Sequence, residues 1–137
     1  MNNPFEIPVR IYYEDTDCGG VVYYANYLKY FERARTAHLE SVGIDLVSMT
    51  REGRFFVVTS AELQYHLPAQ YGDVLRIQST VQEIGGASLS FEHTVLKAVS
   101  SDKLVTGRVR LASVDTGGRV VRFPAPVLRQ LKTSLAS

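Results

Sequence analysis

The sequence contains little cysteine and no excess of charge of either sign. Cys18 is the single cysteine among 137 residues, so the chain cannot form an intramolecular disulfide or a cysteine-rich zinc site. We therefore expect a reducing compartment, the cytoplasm. Because 15 Lys and Arg residues balance 14 Asp and Glu residues, no basic surface is predicted for nucleic acid or for an anionic membrane.

Long hydrophobic runs are also missing. The first ten residues, MNNPFEIPVR, lack the basic and apolar regions of a signal peptide, and no apolar stretch approaches the ~20 residues of a membrane span. We expect no membrane insertion. A hydrophobic fraction of 45% and a charged fraction of 21% are typical of a globular protein with a core. The length predicts a single domain over residues 1–137.

Hydrophobic periodicity predicts an α+β domain. Alternating residues over Phe5–Tyr13 indicate a first strand, and an amphipathic helix follows with Asn26 as N-cap and Gly43 as C-cap. A short helix is predicted after Pro126. Four further strands have period-two patterns, which run over Phe55–Leu67, Leu75–Val81, Leu89–Val99 and Val105–Ser113.

The connections between the later strands are short and polar. They contain Gly85-Gly86, Ser100–Asp102 and Gly117-Gly118, which suits antiparallel neighbours better than crossover helices. One helix covers only part of a five-stranded sheet and leaves the edge strands unpaired. We therefore expect a homo-oligomer that forms through sheet edges or faces.

An acidic turn directly before the long helix is the most informative segment. It crowds three carboxylates and two glycines together: Glu14, Asp15, Asp17, Gly19 and Gly20. A helix N-terminus supplies unpaired backbone N–H groups and a partial positive charge. An ester or thioester carbonyl held there would be polarised beside a waiting carboxylate.

Residue type alone leaves several interpretations of this turn. A solvated acidic turn is the most frequent meaning of such a pattern. A phosphotransferase nucleophile at Asp15 or Asp17 is disfavoured, because such enzymes use parallel sheets and the later strands here look antiparallel. A calcium loop would need its bidentate glutamate at the position of Asn26, and a strand precedes the turn instead of a helix.

A family resemblance changes the order of these interpretations. The pattern Tyr13-x-x-x-Asp17-x-x-Gly20-Val21-Val22-Tyr23-x-Ala25-Asn26-Tyr27, followed by FERAR, resembles the signature of hotdog-fold acyl-CoA thioesterases of the YbgC and 4-hydroxybenzoyl-CoA thioesterase group. The resemblance continues through HLPAQYGD and RLASVDTGGRVVRFP and covers nearly the whole chain. It implies a five-stranded antiparallel sheet wrapped around one long helix, a homodimer, and a dimer of dimers.

The resemblance also implies roles for single residues. Asp17 corresponds to the catalytic carboxylate, which acts as nucleophile or as general base. The backbone N–H near Tyr24 would polarise the carbonyl, and Tyr13 would supply an orienting hydroxyl. Many YbgC-type members have histidine in place of Tyr24, and a tyrosine cannot shuttle protons near neutral pH as histidine does. We expect neither a metal nor an organic cofactor.

The implied substrate is an acyl-CoA, with acyl carrier protein as a second possible donor. Gly20, Val22 and Asn26 are expected to contact it, and Thr59 and Ser60 to line the acyl group from a partner's strand. The sequence does not single out residues for the CoA phosphates. The departure at Tyr24 keeps a second hypothesis open: a hotdog module that binds acyl-CoA or acyl carrier protein with little turnover.

Overall fold

The computed structural model describes residues 4–136 and contains five strands and three α-helices. In chain order these are β1 (Phe5–Arg10), α1 (Asn26–Ser41), α2 (Leu46–Arg51), β2 (Phe55–Tyr65), β3 (Val74–Ile84), β4 (Ser88–Lys97), β5 (Lys103–Val114) and α3 (Ala125–Ala136). A single 3₁₀ turn, Tyr13–Asp15, separates β1 from the segment that leads into α1.

The strands form one antiparallel sheet with the order β1-β3-β4-β5-β2. The predicted turns around residues 85–86 and 100–102 join β3 to β4 and β4 to β5, so both connect antiparallel neighbours as expected. The segment 66–73 behaves differently, because it carries the chain from β2 at one edge to β3, three strands away. With α1 packed on the sheet and α3 at the C-terminus, the architecture confirms the predicted α+β hotdog fold.

Helix α1 is held close to the sheet by Phe31, which is fully buried. A Cβ atom on Gly107 of β5 would lie 2.5 Å from the Phe31 ring and 3.2 Å from the Glu62 carbonyl oxygen. Such a distance is a steric clash, so the absence of a side chain at Gly107 lets the helix approach. The rest of the buried stripe follows the predicted helical spacing: Tyr27, Tyr30, Ala34, His38 and Leu39.

The ends of α1 differ slightly from the prediction. Ala25 occupies the N-cap position and makes no side-chain cap, while Asn26 is the first helical residue. The predicted terminator, Gly43, follows the helix with φ of 89°, a left-handed conformation that favours glycine. The sequence did not predict α2, which begins where the Asp45 carboxylate accepts hydrogen bonds from the Ser48 N–H and hydroxyl.

Each predicted strand has one end that is wrong by two or three residues, and the ends of the first and fourth strands leave predicted strand residues exposed in turns. The first strand stops at Arg10, and Tyr13 is 75% exposed in the 3₁₀ turn and does not lie on the inward face of a strand. The fourth strand stops at Lys97, and Val99 is 88% exposed in the turn that follows. In both places the period-two pattern continues past the point where the partner strand ends, so composition alone could not indicate the stop.

A β-bulge in β2 reverses part of the predicted inward face. The pairing with β5 shifts by one residue between Val58 and Ser60, which leaves Thr59 as the extra residue. Phe56 before the bulge and Leu63 after it both pack against the core. They are an odd number of residues apart, so in a regular strand they would point to opposite faces. Phe55, Val57 and Thr59 therefore do not share one face with Leu63, as strict alternation had predicted.

A polar group, His93, is completely buried in the core. Its ring stacks on Phe31 and Phe91, with centroid distances of 4.5 and 5.7 Å. Its Nδ1 atom lies 3.2 Å from the carbonyl oxygen of Gln78. Because a carbonyl can only accept, Nδ1 carries the proton and donates. Nε2 has no partner within residues 4–136. Burial, with the positive charge of Arg35 adding to it, lowers the pKa of His93 to about 3. The imidazole is neutral in the folded protein.

The buried imidazole predicts a loss of stability in mild acid. In the unfolded chain the His93 pKa returns to about 6.5, so below that pH the unfolded state binds more protons than the folded state. The free energy of unfolding should fall as the pH drops from about 6.5 towards about 3, by up to ~1.4 kcal/mol per pH unit. Urea denaturation across this range measures the slope.

The matched variants for this prediction are His93→Gln and His66→Gln. His93→Gln removes one titrating group and should reduce the dependence on pH, whatever its effect on absolute stability; His38, whose pKa burial also lowers, keeps part of it. His66→Gln makes the same substitution at an exposed histidine and serves as the control. An unchanged slope in His93→Gln would show that other groups cause the acid sensitivity.

Candidate active site

The acidic segment forms a tight hairpin before α1. Thr16 pairs with Val22, and the Asp17 N–H donates to the Val21 carbonyl at 2.9 Å. The Gly20 N–H donates to the Asp17 carbonyl at 3.1 Å, and Gly20 has φ of 80°. A residue with a side chain would be strained in that conformation, so the predicted glycine is required by the turn itself.

The three carboxylates of this segment have different surroundings. Asp15 is half-buried and accepts a hydrogen bond from the Tyr12 N–H at 2.8 Å. Asp17 is exposed, and its Oδ1 accepts from the Gly19 N–H at 2.8 Å. Among the described residues Asp17 Oδ2 has no hydrogen-bond donor, and neither does the exposed Glu14 carboxylate. Asp15 therefore stabilises the turn, whereas Asp17 presents a held carboxylate with one oxygen free.

The hairpin is fastened to the start of α1 through the backbone of Asp15. The Asp15 carbonyl oxygen accepts from the Tyr23 N–H at 3.0 Å and from Asn26 Nδ2 at 2.8 Å. Asn26 was predicted as an N-cap and as a substrate contact. In this structure its side chain links the helix to the acidic turn.

Tyr24 lies two residues before the first helical residue. Its backbone N–H has no hydrogen-bond acceptor among residues 4–136, whereas the Tyr23 N–H is bonded. The Tyr24 carbonyl accepts a hydrogen bond from the Tyr65 hydroxyl at 3.2 Å, and the two rings meet edge to face with centroids 6.4 Å apart. The contact with Tyr65 at the end of β2 fixes the carbonyl of Tyr24, while the N–H of the same residue stays open.

A cavity of about 280 Å³ opens beside this peptide. Its walls come from the hairpin, from α1 and from the end of β2 with the residues that follow: Val22, Tyr24, Tyr27, Tyr65, His66, Leu67 and Pro68. The lining is mostly aromatic and aliphatic, so it suits an apolar group. Of this set, only Val22 and Tyr24 were predicted as site residues. Tyr27 ends the first motif of the resemblance, and the other lining residues lie in or next to HLPAQYGD; the resemblance included both segments without assigning these residues a role.

The remaining predicted residues are less closely grouped. Tyr13 packs its ring against Tyr71, with centroids 5.9 Å apart, and its hydroxyl makes no hydrogen bond to a described residue. Tyr71 in turn donates its N–H to the Gly20 carbonyl at 3.4 Å. Tyr13 therefore lies near the turn, but the structure does not show it orienting Asp17.

Thr59 and Ser60 are far from the cavity within one chain. They lie at the bulge of β2, five and six residues from Tyr65, which corresponds to about 17–20 Å along a strand. The Thr59 hydroxyl donates to the Arg110 carbonyl at 3.2 Å and so stabilises the bulge. A contribution of either residue to the site requires a second copy of the chain.

Metal and membrane sites receive no support from the described part of the chain. No group of three or more His, Cys, Asp or Glu side chains within residues 4–136 is arranged to hold a metal ion. In the same range, no helix is both long and apolar enough to cross a membrane.

Comparison with known proteins finds a family model and a relative that each cover most of the chain. The family model described as the thioesterase-like superfamily matches residues 11–131. A relative from Haemophilus influenzae, named acyl-CoA thioesterase YbgC, is 39% identical over 129 residues, which cover 93% of each chain.

Two crystal structures extend the comparison. A probable thioesterase from Bartonella henselae is 35% identical, with a TM-score of 0.79 over 89% of this chain and 100% of the other. A 1,4-dihydroxy-2-naphthoyl-CoA thioesterase from Synechocystis has a TM-score of 0.86 over 98% and 97% of the two chains. At 19% identity, the second likeness concerns the fold alone.

Proposed function

Because the chain belongs to the thioesterase-like superfamily, as a thioester hydrolase of the YbgC type, we propose that it hydrolyses acyl-CoA to a free acid and CoA. One observation carries the proposal for the site. Asp17 holds a carboxylate with a free oxygen, and the Tyr24 N–H, at the other end of the same anchored segment, has no acceptor. The apolar cavity beside Tyr24 would receive the acyl group.

The Tyr24 N–H and the Asp17 carboxylate would have different roles in the hydrolysis. The Tyr24 N–H would donate to the thioester carbonyl oxygen and stabilise the negative charge that develops on it, helped by the dipole of α1. Asp17 would act on the carbonyl carbon by one of two routes. Its oxygen adds directly, the C–S bond breaks, and water cleaves the resulting anhydride. Alternatively, Asp17 takes a proton from the water that attacks.

The lining of the cavity supports an apolar or aromatic acyl group. Tyr27 is buried, and its hydroxyl accepts a hydrogen bond from the Ala69 N–H at 3.3 Å. Burial raises the pKa of Tyr27, so its phenol stays neutral near pH 7. Gly20 and Val22 would contact the substrate from the hairpin. We also propose a cytoplasmic location, since Cys18 is an exposed free thiol, and cell fractionation would test it.

Asp17→Asn should abolish most of the activity. Both routes require the carboxylate, and loss of a positioned general base or nucleophile typically costs about a hundredfold or more. Release of free CoA from a panel of short, long and aromatic acyl-CoA thioesters measures the effect. Glu14→Gln is the matched control, because Glu14 is an exposed acid on the same turn.

Two results of this experiment would contradict the proposal. Full activity in Asp17→Asn would exclude Asp17 as the catalytic carboxylate. Tight binding of acyl-CoA or acyl carrier protein to the wild type, with hydrolysis at background for the whole panel, would favour a binding module.

Tyr24→Phe should remain active within about threefold, because the proposed role belongs to the backbone N–H, which the substitution keeps. Tyr23→Phe is a suitable control, since the two rings are neighbours with centroids 4.7 Å apart. Steady-state kcat and KM with one acyl-CoA give the comparison. A loss in Tyr24→Phe as large as that in Asp17→Asn would mean that the hydroxyl takes part in proton transfer.

We further propose that the protein is a homodimer formed through β2, with dimers pairing into tetramers. β2 is an eleven-residue edge strand and carries two exposed valines, Val57 and Val58, whereas the opposite edge strand β1 is six residues long and contains Pro8. Proline protects an edge from further pairing, so β2 is the better template for a second copy. Such a dimer would bring the partner's Thr59 and Ser60 towards the substrate.

Val58→Lys should weaken the dimer. Val58 is 51% exposed on β2, and a dimer that pairs this edge with itself would bring two lysines near each other at the interface. Light scattering after size exclusion should change from a multiple of 15.3 kDa in the wild type towards 15.3 kDa. Val99→Lys, in an exposed turn away from β2, should not alter the mass. A wild-type mass of one chain would refute the dimer itself.

A further inference from the structure

A separate cavity, of about 340 Å³, lies at the end of α1 away from the proposed active site. It is enclosed by β1, β3, the C-terminal part of α1 and the end of α3. The described residues around it include no Asp, Glu, Lys or Arg, and none of them lines the cavity beside Tyr24. The walls that matter for its chemistry are Phe5, His38, Val42, Ser79, Val81 and Leu135.

His38 is the unusual member of this wall, because its ring is buried and held in one orientation. Only 8% of the residue is exposed. The pairing of β1 with β3 places Phe5 directly opposite Ser79, and the imidazole lies against both. The Phe5 ring stacks on it with a centroid distance of 5.0 Å, and Ser79 Oγ lies 3.0 Å from Nδ1. Phe91 meets the ring edge to face at 5.9 Å.

The hydrogen bond with Ser79 determines which ring nitrogen of His38 carries the proton. Ser79 is fully buried, and within residues 4–136 its hydroxyl bonds to His38 Nδ1 alone. A buried hydroxyl that has no acceptor costs free energy, so the Ser79 O–H donates and Nδ1 accepts. Burial lowers the pKa of His38, which keeps the imidazole neutral near pH 7. A neutral ring that accepts at Nδ1 carries its proton on Nε2.

The Nε2–H group of His38 is therefore a donor that lacks an acceptor. It makes no hydrogen bond to another described residue. It differs from His93 Nε2, which is also unpartnered but is sealed from solvent, since His38 Nε2 remains accessible. Buried polar groups in proteins are normally paired. His38 thus offers the cavity one fixed donor, and the protein supplies no partner for it.

We propose that this cavity binds a small neutral compound with a carbonyl oxygen and an apolar body, such as a ketone, and that His38 Nε2–H donates to the oxygen. An ion is disfavoured, because no charged side chain lines the cavity to offset its desolvation. Val42, Val81 and Leu135 supply apolar contacts for the body of the ligand. The volume corresponds to about eleven water-sized groups. Binding here requires no hydrolysis of acyl-CoA.

Nuclear magnetic resonance of the ¹⁵N-labelled full chain tests the donor directly, with acetophenone as the probe. Long-range ¹H–¹⁵N spectra distinguish protonated from unprotonated ring nitrogens. Without ligand, His38 should carry its proton on Nε2, and titration with acetophenone should shift the Nε2 signal. A proton on Nδ1 in the free protein would overturn the proposal. So would saturating acetophenone that leaves the His38 signals unchanged.

A double variant, His38→Phe with Ser79→Ala, should bind acetophenone at least about fivefold more weakly, the value of one neutral hydrogen bond. Changing both residues leaves no buried hydroxyl without an acceptor, so the variant should fold, and thermal unfolding checks this. His66→Phe is the matched control, because it makes the same substitution at a histidine outside this cavity. Its affinity should equal that of the wild type. A loss in His66→Phe alone would place acetophenone beside Tyr24.

Two further ligands separate the hydrogen bond from the apolar contacts. α-Methylstyrene has the shape of acetophenone with the carbonyl oxygen replaced by a methylene group. The ratio of the acetophenone affinity to the α-methylstyrene affinity should be about fivefold larger in the wild type than in the double variant. Benzoate should bind the wild type more weakly than acetophenone, since it has the ring but carries a charge. Equal ratios in the two proteins, or tighter binding of benzoate, would overturn the proposal.

Discussion

The contact between Phe31 and Gly107 sets the geometry on which the rest of the molecule depends. A side chain at position 107 would clash with the ring, so the helix can lie this close to β5 only because glycine is there. The position of α1 on the sheet then determines where its N-terminus lies. Through the Asp15 carbonyl, which holds Tyr23 and Asn26, the same contact positions the turn that carries Asp17.

The interior combines this close packing with polar groups that reduce stability. His93 stacks on the same Phe31 ring and remains neutral because burial opposes its charge. Arg35 lies half-buried near it without an ion pair among the described residues. A fold selected for stability alone would replace both with apolar side chains.

Sequence reasoning succeeded where hydrophobic patterns were local and regular. Inward residues of β3 and β5, such as Leu75, Ile77 and Val109, were predicted because buried residues recur at every second position through the middle of each strand. It failed at the Thr59 bulge, because one inserted residue reverses the face of everything beyond it. It failed again at Tyr13, where the chain leaves the sheet although the alternation continues.

The sequence by itself determined the order of the parts of the proposed site: a carboxylate at Asp17, a glycine that can adopt positive φ at Gly20, and a helix that begins within one residue of Asn26. These features depend on neighbours within a few residues, so a linear pattern contains them. Only the tertiary structure decided what surrounds them. The Tyr65 hydroxyl donates to the Tyr24 carbonyl across 41 positions of sequence. The Asp15 carboxylate accepts from the Tyr12 N–H, whereas one carboxylate oxygen of Asp17 has no donor among the described residues. Such contacts arise when the sheet order brings distant segments together, and local periodicity carries no record of that order.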